Sequence, residues 1–338
     1  SITKLQGGKW IFSGSNSYSG GTFVNAGTLQ VANTTGSGTG SGAVTVAVGA
    51  TLGGTGIING PVTVNGTLAP GASIGTLAIS NTLALSSNTV IEIDKSAGQT
   101  SDKVVGVTTL TLGGKLTVST NGPVLTAGDS FPVFSATTYS GNFTSISPAT
   151  PGPGLAWDTV ALTNSGTLTA HANPVAGNDD ASAQHGQTTT IPVAKLLSND
   201  AGELGESLSI TAVSANASLG GGLVPYTAPT SGSSDVITYT LSDGRGGTST
   251  GTINVTLTSS GASFNQLSAM VIGGGDLELT YLGIPGTNYA LEVTHDLTPP
   301  VGWNAVQTNP AAWNGYILFT NTPSLTPTND FYRTRYVP

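Results

Sequence analysis

The sequence predicts an all-β chain: a parallel β-solenoid (β-helix) followed by two small antiparallel β-sandwich domains. Three observations predict it. Only 8% of the 338 residues are charged, Thr and Gly occur 52 and 48 times, and the apolar pattern changes its repeat along the chain. Six Lys and three Arg cannot decorate long helices with the ion pairs they need. A chain with 37% apolar residues, rich in β-branched Val, Ile and Thr, is also unlike a solvated disordered polymer.

The remaining composition removes whole classes of function. A net charge of −8 gives no electrostatic footprint for a phosphate backbone, so nucleic acid is excluded as a partner. No apolar run approaches the roughly 20 residues of a membrane span, so no membrane insertion is expected. The absence of Cys removes disulfides, thiolate nucleophiles and zinc–thiolate sites. Ser1 in place of an initiator Met fits a mature exported chain, and the expected location is secreted, extracellular or on a bacterial cell surface.

Residues 1–172 form the expected solenoid. Short runs alternate Val, Leu or Ile with Thr or Ser and end in Gly-containing corners, as in Gly27-Thr-Leu-Gln-Val31, Ala43-Val-Thr-Val46, Pro61-Val-Thr-Val64 and Gly75-Thr-Leu-Ala-Ile79. Their spacing gives a rung of roughly 16 to 20 residues, the repeat of a coil that buries one face of each short strand. Scarce charge follows from such stacking: a charged side chain would meet its own sign about 4.8 Å away in the next rung, whereas Thr, Ser and Asn ladders carry no such repulsion. From residue 83 the runs lengthen, and Phe131, Phe134, Phe143 and Trp157 predict wider rungs and a thicker core.

Asn16-Ser-Tyr-Ser-Gly-Gly-Thr-Phe-Val-Asn-Ala-Gly-Thr-Leu-Gln-Val31 resembles the autotransporter-associated β-strand repeat, and Leu68-Ala-Pro-Gly-Ala-Ser-Ile-Gly-Thr-Leu77 resembles the turn that follows it. The likeness covers about residues 9–170. It implies a right-handed parallel β-helix of surface-exposed or secreted bacterial proteins. A series of roughly ten-residue amphipathic strands, which a membrane barrel needs, does not follow.

Residues 173–260 come after the Pro174 punctuation and alternate over longer runs, such as Asp235-Val-Ile-Thr-Tyr-Thr-Leu241, at the spacing of an antiparallel sandwich. Pro174-Val-Ala-Gly-Asn-Asp-Asp180, Leu196-Leu-Ser-Asn-Asp200 and Thr238-Tyr-Thr-Leu-Ser-Asp-Gly244 resemble the bacterial cadherin-like and Ig-like repeats of large adhesins. Residues 261–338 follow a Thr258–Ala262 linker and read as a second small sandwich. Gly283-Ile-Pro-Gly286, Trp303 and Phe331-Tyr-Arg333 resemble a C-terminal module of secreted Verrucomicrobia proteins.

Candidate chemistry is thin. Glu92 and Asp94 share one strand face as an acid–base pair, with Lys95, Asp102 and Lys103 nearby, and a solvated rung edge is the plainer reading. His171, His185 and His295 fall on loops and show no metal-ligand spacing. His295-Asp296 lacks any nucleophile elbow. Asp179, Asp180, Asn199, Asp200 and Asp243 sit in loops able to meet at one sandwich end, and they are the candidate calcium ligands. No other cofactor is expected. Trp303, Trp313, Tyr316, Phe331, Tyr332 and Tyr336 are either a sugar-stacking platform or the core of a domain of about 75 residues.

The expectation is therefore a non-enzymatic extracellular structural protein. A solenoid leaves open strand edges at its end rungs, and Ile2, Leu5, Trp10 and Phe12 alternate there without a polar cap. Strand addition at these residues gives a head-to-tail homopolymer of identical subunits, a filament or sheath. The alternative is an adhesin or glycan-binding module with a cell-surface polysaccharide as partner, and the third reading is a polysaccharide-active β-helix enzyme.

Overall fold

A computed structural model describes the chain except residues 204, 259–266, 273–274, 285, 313–314, 324–328 and 338. The chain divides into two compact units, Ser1–Asn173 with Arg245–Gly247, and Pro174–Gly244 with Thr248–Pro338.

The first unit is the solenoid. One parallel sheet stacks Ile2–Lys4, Thr22–Val24, Val44–Val46, Val62–Val64, Leu83–Leu85 and Lys103–Leu112, which then pairs with Phe134–Gly141. A second parallel sheet stacks Lys9–Phe12, Thr28–Val31, Thr51–Gly54, Thr67–Pro70, Asn88–Ile93, Lys115–Thr120 and Ser145–Ser147. Alternation decides which side chains enter the coil. Val24, Val46, Val64 and Leu85 form one buried column, and Leu29, Leu52, Leu68 and Leu116 form another, in which Thr89 takes the place between Leu68 and Leu116. Outside, Thr45 stands against Thr63, and the Thr111 and Ser140 hydroxyls meet at 3.1 Å. Among the described register pairs of this unit, no two like charges are neighbours, as the ladder argument requires.

Rung length varies more than the sequence spacing predicts. Register partners lie as close as Thr51 and Thr67 in the early coils and as far apart as Lys115 and Ser145 in the last. The extra residues of the later rungs go into the ten-residue strand Lys103–Leu112 and into the corner that holds Asp102. At one corner of the second coil Gly27 adopts a φ of 69°, and a Cβ there would run into the Gly8 carbonyl and the Lys4 ammonium.

The apolar interior at the far end of the solenoid is covered, while Phe134–Gly141 and Ser145–Ser147 each pair with one strand among the described residues. After the last coil the chain forms a small antiparallel sheet of Ser130–Pro132, Thr167–Ala172 and Leu155–Asp158, together with the helix Thr159–Ser165. The Asp158 Oδ1 accepts from the Val160 and Ala161 N–H groups at 2.9 Å, and Gly166 ends the helix in the left-handed region. Leu162 is driven into the coil interior beside Phe131, Phe134 and Trp157. This helix and sheet, which the sequence does not predict, add to the thicker core expected here.

The second unit contains two apolar clusters. Asn178–Gln184, Thr248–Thr258, Ser234–Ser242 and Ser209–Val213 form a four-stranded sheet, facing Thr188–Pro192 and Leu223–Thr227. Ile191, Val224, Tyr226, Ile237, Tyr239, Leu241, Ile253 and Val255 fill the space between. The pairing of Asn178–Gln184 with Thr248–Thr258 is parallel, an exception to the expected antiparallel pattern. The remaining strands make two three-stranded antiparallel sheets, Ser268–Val271, Leu277–Leu282 and Tyr316–Asn321, and Asn304–Pro310, Asn288–Thr294 and Phe331–Val337. Leu279, Tyr281, Tyr289, Leu291, Ile317 and Phe319 are their core. Ser182 donates to the Gly283 carbonyl at 2.6 Å, and Ile284 packs into the preceding cluster.

Candidate assembly site

Ile2, Leu5, Trp10 and Phe12 all lie on the first coil. Ile2–Lys4 is the terminal strand of one sheet and Lys9–Phe12 that of the other, so among the described residues each bonds through one side only. Register with Leu29 and Val31 turns Trp10 and Phe12 toward the coil interior, where their rings stack 6.4 Å apart. Phe12 packs on the core, yet Trp10 keeps 44% of its surface exposed. Ile11, on the outer face, and Leu5, in the corner, are exposed too. The open end of the apolar column is therefore an aromatic surface beside two free backbone edges.

Lys4 belongs to the same end and does not stand out in the sequence. It takes the interior position held by Val24 in the next coil and is buried. Its ammonium donates to the Gln6 carbonyl at 2.5 Å and the Ala26 carbonyl at 2.9 Å, and lies 5.7 Å from the Trp10 ring centre. The strict alternation of Ile2-Thr-Lys4 was the available signal, since it puts Lys4 on the inward face.

Two of the five calcium candidates share one partner. Asp179 and Asp200 do meet, at Tyr239, whose hydroxyl lies 2.8 Å from Asp200 Oδ1, 3.2 Å from the Gly177 carbonyl and 3.3 Å from Asp179 Oδ2. One phenolic proton faces three acceptors. Burial, and then the nearby Asp200 charge, push Asp179 up to about 6. Asp180 and Asn199 are exposed and bonded elsewhere, to the Asn254 amide and the Asn178 carbonyl. Asp243 is buried.

The acid–base pair also dissolves into separate contacts. The strand ends at Ile93, and Asp94 turns to accept from the Ser96 N–H and hydroxyl. Lys95 pairs with Asp129 at 2.8 Å. Asp102 is buried in a corner, accepting from the Gly75 and Glu92 N–H groups at 2.9 and 2.8 Å, and burial pushes it up to about 6. Glu92 and Lys9 border a shallow groove of about 270 Å³ over Gly53 and Ala69.

The histidines are not on loops alone, because His171 lies within Thr167–Ala172. His185 contacts the Gly232 carbonyl, and His295 pairs with Asp330 at 2.7 Å instead of Asp296. Of the aromatics, Trp303 carries the Arg333 guanidinium 4.3 Å above its ring, and Tyr332 and Tyr336 pack on the core. Tyr316 and Phe331 are exposed, and Trp313 lies outside the described residues.

Two families match segments of the chain. Residues 2–31 match the passenger-associated-transport repeat, and residues 171–256 match the bacterial Ig domain. The first match covers the first two coils, a shorter stretch than the 9–170 resemblance, and neither reaches residues 262–338. No curated protein matches the chain. Together the two families indicate a cell-surface or secreted protein with a structural or adhesin-like role. No helix among the described residues is long and apolar enough to cross a membrane.

Proposed function

We propose that this chain is a non-catalytic structural subunit of the bacterial exterior that polymerises head-to-tail by adding a strand to its first coil. The observation that carries the reading is the asymmetry of the solenoid. Its last coil is covered by a capped helix that buries Leu162, whereas its first coil presents Trp10, 44% exposed, at an interior position between two free edges. Open edges beside exposed apolar surface favour pairing with another chain.

The test is deletion of residues 1–12. Full-length protein is expected to form particles that grow with concentration in light scattering and appear as filaments in negative stain, and the shortened protein to stay monomeric. Filaments from the shortened protein, or a full-length monomer at high concentration, would refute the proposal. The adhesive, glycan-binding alternative draws on the exposed Tyr316 and Phe331. Glycan-array binding lost on Phe331→Ala would favour it.

A further inference from the structure

The end strands of the second solenoid sheet are Lys9–Phe12 and Ser145–Ser147, in a stretch where every residue is described. Among the described residues each pairs with one strand, Thr28–Val31 and Lys115–Thr120 respectively. Alternation fixes which backbone groups each leaves over. The Thr28 N–H donates to the Gly8 carbonyl and the Ala32 N–H to the Phe12 carbonyl, so Lys9 and Ile11 turn their own N–H and C=O groups to the open side. At the far end the Lys115 N–H donates to the Ser87 carbonyl, so Lys115 faces the strand before it and Leu116 faces the strand after it. Ser145 and Ser147 answer Leu116, which leaves the Ile146 N–H and C=O on the open side. The companion edge, Phe134–Gly141, is partly taken: the Phe134 N–H goes to the Gly166 carbonyl at 2.9 Å and the Ala136 N–H to the Tyr139 hydroxyl at 3.0 Å.

The side chains agree with the backbone. The inward column of this sheet runs from Trp10 through Leu29 and Leu116 to Ile146, and its two end members are the ones left partly exposed. The outward column begins at Lys9 and ends with Lys115 and the exposed Ser145. A second copy set on the far end would therefore place an apolar residue on an apolar one and keep a neutral residue between two ammonium groups.

We propose, resting on the head-to-tail reading above, that strand Lys9–Phe12 of one copy adds in parallel to Ser145–Ser147 of the next. Lys9 stands opposite Ser145, Trp10 opposite Ile146 and Ile11 opposite Ser147. The Ile146 N–H donates to the Lys9 carbonyl, the Ile11 N–H donates to the Ile146 carbonyl, and Trp10 covers Ile146. Each copy gives one strand and receives another, so the contact is heterologous and repeats along a filament.

The chain has no Cys, so introduced thiols report without background. Opposed residues of neighbouring strands lie within disulfide reach, about 4.4 to 6.8 Å between Cα atoms. In one chain Ile11 and Ser147 are six register steps apart, about 29 Å at about 4.8 Å per rung, so a disulfide between them joins two copies. Ile11→Cys combined with Ser147→Cys, oxidised under assembling conditions, is expected to give a ladder of covalent multimers that collapses on reduction. A covalent dimer from either single variant marks pairing of like ends and overturns the assignment. In a second arm Ser145→Lys sets like charge beside Lys9 and is expected to raise the concentration needed for assembly several-fold, and adding Lys9→Glu is expected to restore it. Loss that Lys9→Glu does not restore counts against the pairing. Polymer that forms normally with Ser145→Lys, and gives no ladder with the cysteine pair, refutes this strand assignment and leaves the head-to-tail reading standing. Unmodified protein that stays monomeric refutes both.

Discussion

Buried carboxyls set the pH response of this chain. Asp102 and Asp179 are both raised to about 6 by burial, so the stability they favour is complete below the ordinary carboxylate range and is lost as pH rises through 6. Asp129, held down by Lys95, and Glu292, held down by Arg335 and Arg333, act in the opposite sense and lose their contribution as pH falls below about 4. The chain should be most stable near pH 5, with a higher urea midpoint there than at pH 7.5. Asp179→Asn should shrink the difference, and equal midpoints would count against the assignment. A second residue-scale prediction concerns Thr89, fully buried between Leu68 and Leu116 with no partner for its hydroxyl. Thr89→Val keeps the shape and removes the orphan group, so it should stabilise the solenoid by about 1 kcal/mol in urea unfolding. Lys4 and Thr89 were readable only as members of an alternating run. Their cost or use depends on what the neighbouring rung places beside them, which no single strand reveals.

Short strands between Gly corners were the most legible elements, because period-two alternation and positive-φ residues are local signals. The helix Thr159–Ser165 was not legible. Its sequence, Thr-Val-Ala-Leu-Thr-Asn-Ser, is rich in β-branched and small polar residues, and it is held by the Asp158 cap and the burial of Leu162 instead of by propensity. Asp158→Ala should therefore cost about 1 kcal/mol, and Leu162→Ala about 2 to 5 kcal/mol, both read from the unfolding midpoint of the first unit. A smaller Leu162→Ala loss would mean that the helix does not seal the coil. Asn33 gives a similar lesson. It opens a polar Asn-Thr-Thr run, yet it is buried, with its amide donating to the Thr35 and Gly36 carbonyls and its oxygen accepting from the Ile57 N–H.

Charge segregation belongs to the whole molecule. Residues 1–91 carry two Lys and no acid, whereas residues 173–338 carry twelve of the 17 acids. Attraction between such regions of different copies is screened over about 10 Å at 0.1 M salt, so assembly should slow as salt rises from 0.05 to 0.5 M in a light-scattering time course. Unchanged kinetics would mean that apolar contact alone drives the association. This asymmetry could be read directly from the sequence. The candidate clusters were legible only in part: Asp179 and Asp200 converge on Tyr239, whereas Asp94 turns to Ser96 and Lys95 to Asp129.

The unequal rungs have a mechanical consequence. Local opening costs least where fewest contacts cross a segment. The early turns put only three or four residues on each face, while the strand Lys103–Leu112 adds ten. Under tension this rod would yield turn by turn from its slender portion, dissipating load in small increments while the broad portion stayed intact.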